Sequence, residues 1–65
     1  MNQRLVERFE NVANRVLPQH MTNGITDEDD FILYWITDRY THDTKVILYD
    51  KDKDIFQYQG MQIKC

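Results

Sequence analysis

The chain offers few side chains with the chemistry of a reactive or ligating site. His20, His42 and Cys65 are its only imidazole or thiol groups. They lack the close paired spacing of structural zinc motifs, so no metal site is expected. His20 follows a helix, where a cation meets the negative end of the dipole favourably, and His42 falls in a turn; both read as surface histidines. Asp50-Lys51-Asp52-Lys53-Asp54 starts like a calcium loop, D-x-D-x-D. Such a loop needs Gly at its sixth place and Glu at its twelfth; here Ile55 and Met61 stand there. A solvated hairpin turn explains the segment better. Serine is absent and there is no Gly-rich phosphate loop, so nucleophilic and phosphate chemistry lack their parts. Adjacent carboxylates are plentiful, but in a solvated turn nothing tunes one of them as an acid or base. The expectation is a non-catalytic protein with no cofactor.

Length bounds what must position these residues. Sixty-five residues make one domain, 1–65. A domain of this size buries only about 60% of the surface its unfolded chain exposes. One cysteine excludes an internal disulfide, and ligands for a metal are scarce, so self-association is the expected source of extra stability. The formal charge of −3 argues against a broad basic nucleic-acid surface, and direct nucleic-acid binding is not expected. The charge is unevenly placed. Residues 1–19 carry Arg4, Arg8 and Arg15 against Glu7 and Glu10, and nine acids lie in 20–65. A polar N-terminus and no apolar run of membrane-spanning length lead to the expectation of a soluble cytoplasmic protein.

Residues 3–17 predict an amphipathic helix: Leu5, Phe9, Val12 and Val16 recur at helical spacing, widened by Val6, Ala13 and Leu17. Asn2 suits the N-cap, and Pro18 ends the helix. Residues 18–29 read as a loop, with turn chemistry at Pro18, Asn23-Gly24 and Thr26-Asp27. Thr26 to Asp29 could also form a capping box for a second helix, but the run Phe31 to Ile36 is short and rich in aromatic and β-branched residues, which favours a strand. Strands are expected at about 30–38, 44–49 and 55–64, with a β-bulge at Gly60 correcting a slip in the alternation of the last. The fold expected is α+β: one N-terminal amphipathic helix on a three-stranded antiparallel β-meander, α-β-β-β.

The run Phe31-Ile32-Leu33-Tyr34-Trp35-Ile36 is apolar on both sides, and one helix covers one side. Judged by bulk, Phe31, Leu33 and Trp35 with Val46 and Leu48 should face the helix. That leaves Ile32, Tyr34, Ile36, Ile47 and Tyr49, with Tyr40 nearby, as an outer surface needing a partner. The first strand would also be a sheet edge open to pairing with another chain. A two-fold homodimer through the outer face or that edge is expected. So is a role as an inhibitor or modulator that masks a larger intracellular protein. The alternative is an acidic mimic in which Asp27, Glu28, Asp29, Asp30, Asp38 and Asp43 imitate phosphates before a DNA- or RNA-binding enzyme. Size, acidity and lack of a reactive site are general traits of small phage or bacterial accessory proteins; that analogy assigns no residue.

Overall fold

Asn2 starts the helix by accepting a hydrogen bond from the Arg4 backbone N–H at 2.8 Å, which satisfies one of the orphan donors of the first turn. In the computed structural model, which describes residues 2–64, helix α1 spans Gln3–Val16. Leu17 closes it with a backbone bond to Ala13, and Pro18 prevents another turn. Cys65 lies outside the described residues.

The chain then enters five strands: β1 His20–Asp27, β2 Phe31–Asp38, β3 Thr44–Asp50, β4 Ile55–Tyr58 and β5 Met61–Ile63. Every neighbouring pair is antiparallel, and the spatial order is β1-β2-β3-β4-β5, an uninterrupted meander. The fold is therefore α+β as expected, with five strands in place of three.

Both extra strands have a local cause. Residues 20–27 form a strand where a loop was expected. Asn23-Gly24, read as a turn, instead lies at an irregularity in the pairing of β1 with β2, between Thr22 and Gly24. That one-residue slip erases the alternation by which a strand is recognised. The strand is held by its ladder to β2, since few of its side chains are apolar. At the other end of the sheet the slip at Gly60 is a turn and not a bulge. Gln59 and Gly60 both have positive φ, 48° and 83°, as a two-residue primed hairpin turn requires. The expected common face of Phe56, Tyr58, Met61 and Ile63 holds even so, because Phe56 pairs with Ile63 and Tyr58 with Met61.

The largest correction concerns which way the sheet faces. Ile32, Tyr34, Ile36 and Ile47 are buried with Phe9, Val12, Ala13 and Leu17 of the helical segment, joined by Phe56, Tyr58 and Ile63. Tyr49 packs against this core half-buried. These residues were expected on the outer face. The grouping was right and its direction reversed. Pairing sets the parity of every strand at once, and the helix side gains Ile25, Ile47, Phe56 and Ile63 through it. The opposite parity carries Thr37, Thr44, Gln57 and Gln62, which tolerate solvent.

Phe9 is the centre of the core. It stacks on Tyr34 with centroids 4.8 Å apart and meets Phe56 edge-on at 5.0 Å, both favourable ring geometries. The Arg8 guanidinium lies over the Phe56 ring at 5.1 Å and bonds Asp54 at 3.0 Å, so it covers one end of the core.

Candidate functional site: the uncovered face of the sheet

The face turned away from the helix is built by alternation. On β2 it presents Phe31, Leu33, Trp35 and Thr37. Their partners on β3 are Asp50, Leu48, Val46 and Thr44. β1 adds Thr26, Gly24 and Met21, and β4 adds Ile55 and Gln57. No element of the described chain lies over it. Trp35 is 36% exposed, Phe31 38% and Met21 45%. Leu33, Val46, Leu48 and Ile55 are half-buried by their neighbours.

Among the described residues, Asp50 is the one charged side chain at an outward strand position. Its Oδ1 accepts the backbone N–H groups of Asp52 and Lys53, at 3.0 and 3.2 Å, which turns it into the β3–β4 turn. A face with aromatic and aliphatic residues at its centre and almost no charge has the composition of an interface core. Trp35 is held in place, its Nε1–H donating to Thr26 Oγ1 at 3.2 Å. Gly24, paired with Trp35, adds no side chain beside it, and a β-carbon there would meet nothing within 4 Å.

The expected interface residues therefore divide. Ile32, Tyr34, Ile36 and Ile47 belong to the core. Tyr49 faces the helix and donates its hydroxyl to Asp54 Oδ1. That bond, aided by burial, holds the phenol above its ordinary pKa, and it lowers Asp54 together with Arg8. Tyr40 stays exposed, at 79%, on the turn between β2 and β3. The expected edge pairing through residues 31–36 is excluded, because β1 occupies that edge of β2. The spacing groups Phe31, Leu33, Trp35, Val46 and Leu48 correctly by parity but points them at the helix, and it does not bring in Met21, Thr26, Ile55 or Gln57 of the same face. The polar parity partners Thr37, Thr44 and Gln57 were the signal that could have corrected this.

The acidic residues also divide. The β1–β2 and β3–β4 turns lie side by side, because Lys51 Nζ donates to Asp27 Oδ1 and to the Glu28 carbonyl, each at 2.8 Å. The Lys51 backbone N–H reaches the Asp30 carbonyl at 3.1 Å. One end of the sheet thus gathers Asp27, Glu28, Asp29, Asp30, Asp50, Asp52 and Asp54. Asp38 and Asp43 lie at the opposite end. There the Asp38 side chain accepts from the backbone of Tyr40 and Thr41, and Arg39 bonds the carbonyls of Gln19 and His20. The calcium-like segment is a hairpin turn, closed by the Asp54 N–H to the Asp50 carbonyl at 2.9 Å.

A second polar cluster joins the helix to β1. Glu10 accepts from the Tyr34 hydroxyl and from Thr22 Oγ1, and its other oxygen is 3.5 Å from His20 Nε2. The other ring nitrogen of His20 bonds the Leu17 carbonyl at 2.7 Å. His20 is thus packed between helix and sheet, with its side chain 6% exposed, and is not the surface residue expected. Burial works against the Glu10 carboxylate, but the bonds from Tyr34 and Thr22 and the nearby His20 outweigh it and hold its pKa below the ordinary value. Burial and the bond to Glu10 raise Tyr34. Every polar group here has a partner within the fold, so the cluster reads as a tie between helix and sheet.

Among the described residues no three His, Cys, Asp or Glu side chains come together as a metal-ligand group, and there is no enclosed pocket. Among them, no helix is long and apolar enough to cross a membrane. No protein-family model matches the chain, and no curated protein or solved structure matches it either.

Proposed function

We propose that this chain is a small non-catalytic protein-binding module that inhibits or modulates a larger intracellular protein by masking part of its surface. The contact surface in this reading is the uncovered sheet face, centred on Phe31, Leu33, Trp35, Val46 and Leu48. The observation that carries it is the contrast in that face: Phe31 and Trp35 are exposed to solvent beside half-buried Leu33, Val46 and Leu48, with a single charge among the outward strand positions. Soluble proteins seldom leave such a surface without a use. Trp35, fixed by its bond to Thr26, is the natural anchor, since a rigid indole buries a large area at small entropic cost.

The test is affinity capture from the native host with the wild-type chain, with Leu33→Asp, and with Asp29→Asn/Asp30→Asn. A partner bound by the wild type and the acidic-turn variant but lost with Leu33→Asp supports the reading. A partner retained by Leu33→Asp, folded by circular dichroism, sinks it.

A second reading rests on the acidic end, where two turns place seven carboxylates together with Lys51 and Lys53. An acidic mimic acting there would lose its partner in the Asn variant and in added salt, while Leu33→Asp would keep it. Asp38 and Asp43, at the far end of the strands, would lie outside that surface.

A further inference from the structure

We infer that the free protein pairs with a second copy of itself, uncovered face on uncovered face, with the strands of the two copies running in opposite directions across the two-fold axis. The inference rests on the reading of that face as an interface and goes further by naming what occupies it when no other partner is present.

Three observations carry it. The first is charge. The molecule carries a net −3, so two copies repel over most of their surface. The uncovered face is the region where that repulsion is weakest and the apolar gain largest. The second is polarity along the strands. At one end the turns hold seven acids against Lys51 and Lys53, with Lys64 following β5 there and Arg8 of the helix bonded to Asp54, which leaves that end net negative. The opposite end holds Asp38 and Asp43 against Arg39 and Lys45, with Arg15 in the last turn of the helix that leads there. A two-fold axis along the strands would set the two acidic ends over each other. An axis across the strands sets each acidic end over the mixed end of its partner. Electrostatics thus selects the second arrangement, and stacked antiparallel sheets accommodate it.

The third is area. Strands of this length and spacing give a face of about 25 Å by 15–20 Å, or roughly 400–500 Å². That is about half of the ~800 Å² per partner of a standard stable interface. The pair is therefore weak and reversible, so it shields Trp35 and Phe31 in the free protein without competing strongly against a tighter partner. Self-pairing and partner binding are mutually exclusive, because they use the same side chains.

Sedimentation velocity of the purified chain, from low micromolar to near millimolar concentration, tests the pairing. The weight-average mass should rise from monomer toward dimer. Fluorescence of Trp35, the only tryptophan, should shift to the blue over the same range. Leu33→Asp should lower the association constant by roughly tenfold or more, because a carboxylate cannot be buried there unpaired. A mass that stays monomeric throughout overturns the pairing. So does a dimer that survives Leu33→Asp unchanged in a chain folded by circular dichroism. Orientation is read by a spin label at Asp29→Cys in a Cys65→Ser background, mixed with isotope-labelled, unmodified chains. Broadening of amides in the 39–43 turn supports the antiparallel stack, and broadening confined to the 28–30 and 51–54 turns overturns it. These measurements use the protein alone. Their failure leaves the masking reading standing, whereas loss of that reading is decided by host capture with Leu33→Asp.

Discussion

The two faces of the sheet are made from the same kinds of residue and meet different fates. On β2, Ile32, Tyr34 and Ile36 are covered by the helix, while Phe31, Leu33 and Trp35 on the same strand are not. Hydrophobicity alone does not separate the two sets, since the uncovered set holds the only tryptophan and a phenylalanine. What separates them is the company each keeps across the sheet. The covered parity continues through Ile47, Phe56 and Ile63 into a core centred on Phe9. The uncovered parity runs out into Gln57, Gln62 and threonines. One face therefore supplies the stability of the fold, and the other holds apolar surface in reserve.

Substitutions on the covered face should damage the fold. Phe9→Ala is expected to have the largest effect, about 3–5 kcal/mol, from lost transfer energy and a cavity where three rings meet. In a domain this small that leaves little net stability, and urea unfolding followed by circular dichroism should show a chain largely unfolded before denaturant is added. Ile36→Val, at a fully buried site, should cost about 0.5–1.5 kcal/mol and leave a folded chain with a lower urea midpoint. Either variant behaving like the wild type would break the contrast between the faces.

Tyr34→Phe keeps the ring stack on Phe9 and removes one donor to Glu10. Because the Glu10 side chain is 39% exposed, water replaces part of what is lost, and about 1 kcal/mol is expected. The same tie gives a pH signature. Glu10 titrates below its ordinary value of 4.5 in the folded state, so its contribution is present above that value. It is lost as pH falls through the lower folded value. Glu10→Gln should flatten this part of the acid limb in urea titrations run from neutrality downward. An unchanged acid limb would show that the helix–sheet tie carries no charge-dependent stability.

On the uncovered face the smallest stability effect is expected. Trp35 is 36% exposed and otherwise covered by its neighbours, so Trp35→Phe, which keeps a ring there, should move the urea midpoint little while weakening self-association and partner capture. A large loss of stability in that variant would mean that the two faces share the work of folding.

The sequence by itself determined the helix and its ends, because a repeating apolar stripe, Asn2 and Pro18 are local signals that no distant contact overrides. It also determined strands at about 30–38 and 44–49, each within one residue of the observed ends, and the division of their residues into two parities, since alternation is a property of one strand. The strand at 20–27 stayed hidden, because its alternation breaks at Asn23-Gly24 and its stability comes from a backbone ladder supplied by β2. The site followed the same rule. Which residues share a face could be read from spacing, but which face the helix covers could not. That choice is made by the summed burial of five strands in register with one another, a quantity that exists only once they are paired.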